Sequence, residues 1–134
     1  MSFSVIVILL TAHWVADFVL QKEEWARGKH NSITDLLSHT VYYSMIMFFI
    51  VFVYQLITIK DLTTLRVEYI LLFWFITLVT HTLVDFITSK FTHKLLDKQQ
   101  YYTTVPNLGF FSVIGLDQLI HYIILFLTYK ILFL

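Results

Sequence analysis

Four apolar stretches alternate with polar segments along the chain. Each is close to the ~20 residues that an α-helix needs to cross the hydrocarbon core of a bilayer. None shows the alternating pattern of a membrane β-strand. The pattern predicts an all-α integral membrane protein, a four-transmembrane-helix bundle forming one domain over residues 1–134. The predicted spans are residues 3–20, 36–59, 69–87 and 110–134.

Polar loops separate the spans and predict their orientation. Residues 21–35 are too polar for hydrocarbon, and Ser32 followed by Asp35 resembles a capping box that starts the second helix near Ile33. Residues 90–107 form a second loop, expected along the interface. These two loops share one side, with six Lys and Arg residues against three on the other, which favours a cytoplasmic location and places both termini outside.

Composition limits the chemistry. Hydrophobic residues make up 58% of the chain, charged residues 13%, and the formal net charge is zero. No basic, aromatic-rich stripe suggests nucleic-acid binding. The chain has no Cys, so a bound metal must use His, Asp, Glu or Gln.

Each predicted span carries one His and one Asp separated by four residues. This spacing places both side chains on one helix face. The order reverses on reversed helices, so His is the deeper residue in all four and the set forms one intramembrane layer. The chain also resembles two pseudo-symmetric hairpins. The pairs are His13 with Asp17, Asp35 with His39, His81 with Asp85, and Asp117 with His121.

Carboxylates inside a bilayer are costly and need a partner. We expect no Lys or Arg in the layer, so divalent ions are the predicted partners, and the charge count favours two over one. His with carboxylate suits Zn, Fe or Mn. Asp35 and Gln21 are additional candidates, whereas Gln118 is expected to pack. The predicted ligands are His13, Asp17, His39, His81, Asp85, Asp117 and His121.

Several strings together resemble one bacterial membrane-protein family. They are AHWVADFVLQ, SHTVYY, HTLVDF and IGLDQLIHY, and the family is domain of unknown function 3307. The resemblance implies a multi-span protein of the bacterial inner membrane and supplies no reaction. The chain is also remotely similar to small inner-membrane proteins described as metal-dependent hydrolases, which implies a shared use of His and Asp.

Three hypotheses for function follow. The first is a metal-dependent hydrolase that acts on an amphiphilic, lipid-like substrate at the cytoplasmic side. The second is ion or proton transport, or sensing, through the same layer. The third is a structural membrane module. Substrate and oligomeric state stay open.

Overall fold

Five α-helices make up the structure, a computed structural model that describes all 134 residues. A π-helical turn, Val15–Val19, continues the first helix, and a 3₁₀ turn, Leu62–Thr64, precedes the fourth. There are no β-strands beyond one isolated bridge, so the prediction of an all-α fold is confirmed. The helices are α1 (Phe3–Trp14), α2 (Glu23–Gly28), α3 (Ile33–Thr58), α4 (Val67–Asp97) and α5 (Phe110–Phe133).

Three helices, α3, α4 and α5, are long and apolar enough to cross a membrane. They correspond to the second, third and fourth predicted spans. The apolar helix Phe3–Val19, made of α1 and the π-helical turn, is shorter. Membrane insertion and the number of crossings therefore stay predictions.

The start of α3 confirms the predicted helix cap. The Ser32 hydroxyl accepts a hydrogen bond from the Asp35 backbone N–H at 3.2 Å, and the helix begins at Ile33. A serine side chain in this position satisfies an amide that has no partner within the helix. The segment before it is more ordered than a plain loop, because residues 23–28 form the short helix α2.

The predicted loop at residues 90–107 begins too early. Helix α4 continues to Asp97, because hydropathy marks where a helix leaves the hydrocarbon and not where it ends. A Schellman motif then ends the helix: Gln99 has φ 55°, and the Gln100 and Gln99 amides donate to Leu95 and Leu96 carbonyls, both at 2.9 Å. Gly is the usual residue at this position, so Gln conceals the signal.

Helices α1, α3, α4 and α5 form a ring in which α1 and α4 each contact both α3 and α5. Twelve hydrophobic and twelve polar residues are buried inside it, while Phe3, Ile57 and Leu127 are more than half exposed. Soluble proteins bury apolar side chains preferentially and rarely expose large apolar patches. The polar interior and apolar surface of this bundle are compatible with a membrane protein.

Candidate metal centre

The structure brings six of the seven predicted ligands into two adjoining groups that could hold a metal ion. Both groups lie between the long helices, and they share Asp85. The first group is Asp17, His39, His81 and Asp85, and the second is Asp85, Asp117 and His121. We refer to them below as the closed group and the open group. Asp17 comes from the π-helical turn after α1, a kind of irregularity frequent at functional sites.

The closed group has the spacing of a tetrahedral metal site. Ligand bonds of about 2.1 Å place tetrahedral ligand atoms about 3.4 Å from one another. His39 Nε2 lies 3.1 Å from Asp17 Oδ1, 3.2 Å from Asp85 Oδ2 and 3.2 Å from His81 Nε2. His81 Nε2 lies 3.5 Å from Asp17 Oδ1 and 3.8 Å from Asp85 Oδ2. All four residues are buried.

Asp17 Oδ1 tests whether this group fits a metal. It is buried and accepts no hydrogen bond, although His39 Nε2 lies only 3.1 Å away. Buried carboxylate oxygens normally accept hydrogen bonds. Asp17 Oδ1 therefore has a lone pair that is free for a cation or for a proton.

The open group has three ligand atoms. His121 Nε2 lies 3.2 Å from Asp85 Oδ1 and 3.4 Å from Asp117 Oδ1. Asp117 also borders a cavity of about 580 Å³, so one side of this group faces open space. Three protein ligands with a free position are typical of catalytic zinc sites, whereas four are typical of structural ones.

A contact between two imidazoles links the groups. His81 Nδ1 lies 3.2 Å from His121 Nδ1, so one of the two nitrogens must donate a proton and the other accept it. A neutral histidine that offers its Nε2 lone pair to a metal carries its proton on Nδ1. If both residues bound metal through Nε2, two N–H groups would face each other. While this contact exists, only one of the two Nε2 atoms can bind an ion.

Gln118 supports the layer, against the expectation that it only packs. Its Nε2 donates to Asp17 Oδ2 and to Asp117 Oδ2, both at 3.0 Å. Its Oε1 must then accept from His13 Nε2, at 2.8 Å, and His13 Nδ1 accepts from the Tyr43 hydroxyl at 2.6 Å. Both nitrogens of His13 are thus engaged, and the structure places His13 beside the two groups and not within them.

Lys29 also reaches the layer, so the expectation that no Lys or Arg lies there is wrong. Its ammonium donates to Asp85 Oδ2 at 2.8 Å. Burial by itself would lower the pKa of Lys29, but the carboxylates of Asp85 and Asp17 outweigh it and raise that pKa above its ordinary value. Lys29 lies in a predicted loop and belongs to no predicted pair of His and Asp, so the sequence does not indicate that its side chain enters the bundle.

The two additional candidates lie apart from the groups. Asp35 is half-buried at the start of α3, where its carboxylate packs so closely on Gly28 that a β-carbon there would collide with it. Gln21 borders the cavity, and its buried Oε1 has no hydrogen-bond partner. Gln21 is therefore placed to contact a molecule in the cavity, whereas Asp35 is not.

The cavity extends from the open group toward the end of α4. Its walls come from the π-helical turn, α2, α4 and α5. On α4 it follows one face from Thr88 to Leu96, and on α5 from Gln118 to Phe110. Eight residues of helix span about 12 Å. The residues of α4 beyond the predicted span thus form a wall of the cavity.

Comparison with known proteins gives one match. The model of a family described as "Protein of unknown function (DUF3307)" matches residues 5–134. No curated protein and no solved structure matches the chain.

Proposed function

We propose that this chain, which belongs to the DUF3307 family, is a membrane-embedded, metal-dependent hydrolase of amphiphilic molecules. The observation that carries the proposal is the open group: three converging ligand atoms, buried among helices, with one side on a cavity. A pocket of about 300 to 1,000 Å³ is the usual size for a small-molecule site, and this cavity has about 580 Å³.

The position of Lys29 favours the open group as the metal site. Its ammonium contacts Asp85 Oδ2, the oxygen that the closed group would use, and leaves Asp85 Oδ1 to the open group. The contact between His81 and His121 then assigns the protons. His121 offers its Nε2 lone pair, its Nδ1 donates to His81, and His81 Nε2 donates into the closed group.

Asp17 is the proposed general base. It borders the cavity without belonging to the open group. A divalent ion with a free coordination position lowers the pKa of bound water and makes it a nucleophile near neutral pH. Asp17 Oδ1 has no hydrogen-bond donor, so it is the oxygen of this carboxylate with a lone pair free for a proton. Gln118 holds the other oxygen of Asp17 and, through the same amide, Asp117.

The apolar surface of the bundle supports a membrane setting. We propose an inner-membrane protein of bacteria in which Phe3–Val19 is a fourth, shorter crossing. The polar layer and the cavity would then face the cytoplasm, since they adjoin the loops that carry more Lys and Arg residues. A substrate with an apolar tail could enter the cavity while its tail stays in lipid.

Transport through the same layer is a weaker candidate. Beyond the His and Asp side chains, the bundle interior is filled by a buried cluster that includes Leu9, Met47, Phe73 and Leu125. This apolar packing lies between the layer and the outer ends of the helices, and it favours a site served from one side. Purely structural polar networks need no cavity, so the cavity favours an enzyme over a structural module.

Metal analysis of the purified protein tests the proposal. The protein in a nonionic detergent is loaded separately with Zn²⁺, Mn²⁺ and Fe²⁺ and then freed of excess ion. We expect one ion per chain, lost in His121→Ala and Asp117→Ala. His39→Ala, outside the open group, should keep it. His93→Ala is the matched control, because His93 lies near the cavity mouth and outside both groups.

The outcomes separate the hypotheses. A folded parent that binds none of the three ions contradicts the metal centre. Loss of the ion in His39→Ala but not in His121→Ala would assign it to the closed group and contradict a catalytic site. Ion flux in liposomes that His121→Ala abolishes would support transport. A metal-bound parent that cleaves no amphiphilic ester or phosphoester would contradict the hydrolase.

A further inference from the structure

The cavity beside the open group has a charge pattern of its own. Lys29 and Arg27 line it from the segment that contains α2, while Asp17 and Asp117 line it at the layer. The two cations and the two carboxylates thus come from different walls. The Lys29 ammonium reaches inward to Asp85 in the layer, so the cationic donors extend from Arg27 to the open group.

The carboxylates at the layer already accept hydrogen bonds from neighbouring side chains. Asp117 accepts from Thr88 and from Gln118, and Asp17 accepts from Gln118. The remaining oxygen of Asp17 and the inner oxygen of Asp117 face the candidate metal groups. Once these carboxylates are matched by an ion, they do not repel an anion in the rest of the cavity.

The basic side still has donors to offer. The Lys29 ammonium has three N–H groups and uses one on Asp85. Arg27 pairs with Glu23 at 2.5 Å, but its guanidinium has five N–H groups and is largely exposed. In contrast, the Thr88 hydroxyl donates to Asp117, and the Thr92 hydroxyl donates to a carbonyl of α4. The two cations therefore still have charged donors to offer a ligand.

The basic segment is held in place over the cavity. The His30 ring stacks on His93 of α4 with ring centroids 3.5 Å apart, and His30 Nδ1 donates to the Arg27 carbonyl at 2.8 Å. Ser89 donates to the Lys29 carbonyl at 3.4 Å. The backbone of Arg27 and Lys29 is thus fixed relative to α4, and the Lys29 ammonium is held by Asp85.

Apolar side chains complete the cavity. Phe18, Phe110 and Ile114 line it beside the polar groups, and Phe18 is 45% exposed on the outside of the bundle. A ligand here meets a polar group and an apolar surface at once. An amphiphile fits this combination better than a wholly polar anion does.

We propose that the cavity binds the phosphate group of a single-chain amphiphile, held by Lys29 and Arg27 against the open group, with its alkyl chain along Phe18, Phe110 and Ile114. Phosphate oxygens accept hydrogen bonds from Lys and Arg and also bind divalent ions. As a statement of the substrate, this inference rests on the proposed function. As a statement of binding, it does not require hydrolysis.

Calorimetric titration of the purified protein with hexyl phosphate tests the proposal. Hexyltrimethylammonium carries the opposite charge on the same chain, and inorganic phosphate carries the anion without a chain. We expect hexyl phosphate to bind more tightly than both. Loss of one charge-assisted hydrogen bond costs about tenfold or more in affinity, so Lys29→Met and Arg27→Gln should each weaken binding by at least that factor.

Lys22→Met is the matched control. Lys22 belongs to the same loop but lies over the Trp25 ring, outside the cavity. The Lys22→Met substitution removes the same charge as Lys29→Met, so the affinity of this variant for hexyl phosphate should equal that of the parent. Arg27→Gln changes an exposed side chain and keeps the test valid even if Lys29→Met fails to fold.

Three results would overturn the proposal. Hexyltrimethylammonium that binds as tightly as hexyl phosphate would contradict the need for an anion, and a Lys22→Met protein that loses as much affinity as Arg27→Gln would contradict the roles of Lys29 and Arg27. Inorganic phosphate that binds as tightly as hexyl phosphate would rule out the amphiphile and leave a free phosphate site.

Titrations with and without metal separate this inference from the proposed function. A protein that keeps its metal but does not bind hexyl phosphate contradicts only the proposed cavity ligand. A protein that retains no metal but binds hexyl phosphate in a Lys29-dependent way contradicts only the metal centre.

Discussion

Gln118→Leu should weaken metal binding strongly while keeping the helices intact. Gln118 hydrogen-bonds His13, Asp17 and Asp117, and Leu has a similar size but no polar atoms. Removing a partner that orients metal ligands costs about 10- to 100-fold in metal affinity. Because the Gln118 amide holds two carboxylates, we expect the dissociation constant of the metal to rise by about 100-fold, the upper end of that range.

A competition titration against a fluorescent chelator measures this change. Gln55→Leu is the matched control, since Gln55 is also a helical glutamine with one hydrogen bond, to the Tyr129 hydroxyl at 3.2 Å, outside the layer. Each buried group left without a partner costs about 1–3 kcal/mol, so the metal-free Gln118→Leu protein should also unfold at a lower temperature. Metal affinity equal to that of the parent would refute the supporting role of Gln118.

Three further predictions concern single side chains. Thr88→Val removes the 2.6 Å hydrogen bond to Asp117 and should lower metal affinity about tenfold in the same titration, with an unchanged circular dichroism spectrum. Phe73→Ala, at a site that is 0% exposed, should destabilise the bundle by about 3–5 kcal/mol in mixed-micelle unfolding and leave metal binding unchanged. The raised pKa of Lys29 keeps its ammonium protonated until pH rises through that pKa, so acetic anhydride should modify Lys29 more slowly than it modifies exposed lysines. In Asp85→Asn, Lys29 should be modified faster than in the parent. Mass spectrometry measures both rates.

The shared layer of His and Asp could be predicted from the sequence because helical periodicity is a local property. Four residues of separation place both members of a pair on one face whatever the rest of the chain does. Six of the seven predicted ligands accordingly meet in the two groups. His13 has the same spacing as the others, yet Tyr43 and Gln118 engage its two nitrogens, and that outcome depends on neighbouring helices.

Contacts between distant segments could not be predicted in this way. Lys29 and Asp85 are 56 residues apart, and Gln118 and Asp17 are 101 residues apart. Gln118 was expected to face away because it adjoins Asp117 on the helix, but a long side chain between two carboxylates can reach both. The extension of α4 was missed because its polar residues line a cavity, which a hydropathy scan cannot distinguish from a loop.

Charge and proton placement lead independently to the same number of ions. Asp17, Asp85 and Asp117 carry three negative charges and Lys29 one positive charge, so one divalent ion makes the layer neutral. A second ion would leave an uncompensated double charge among apolar helices, where even one charge is expensive. The contact between His81 and His121 also leaves only one of their two Nε2 atoms free to bind an ion. The charge count that favoured two ions omitted Lys29; with that residue included, the same count predicts one ion.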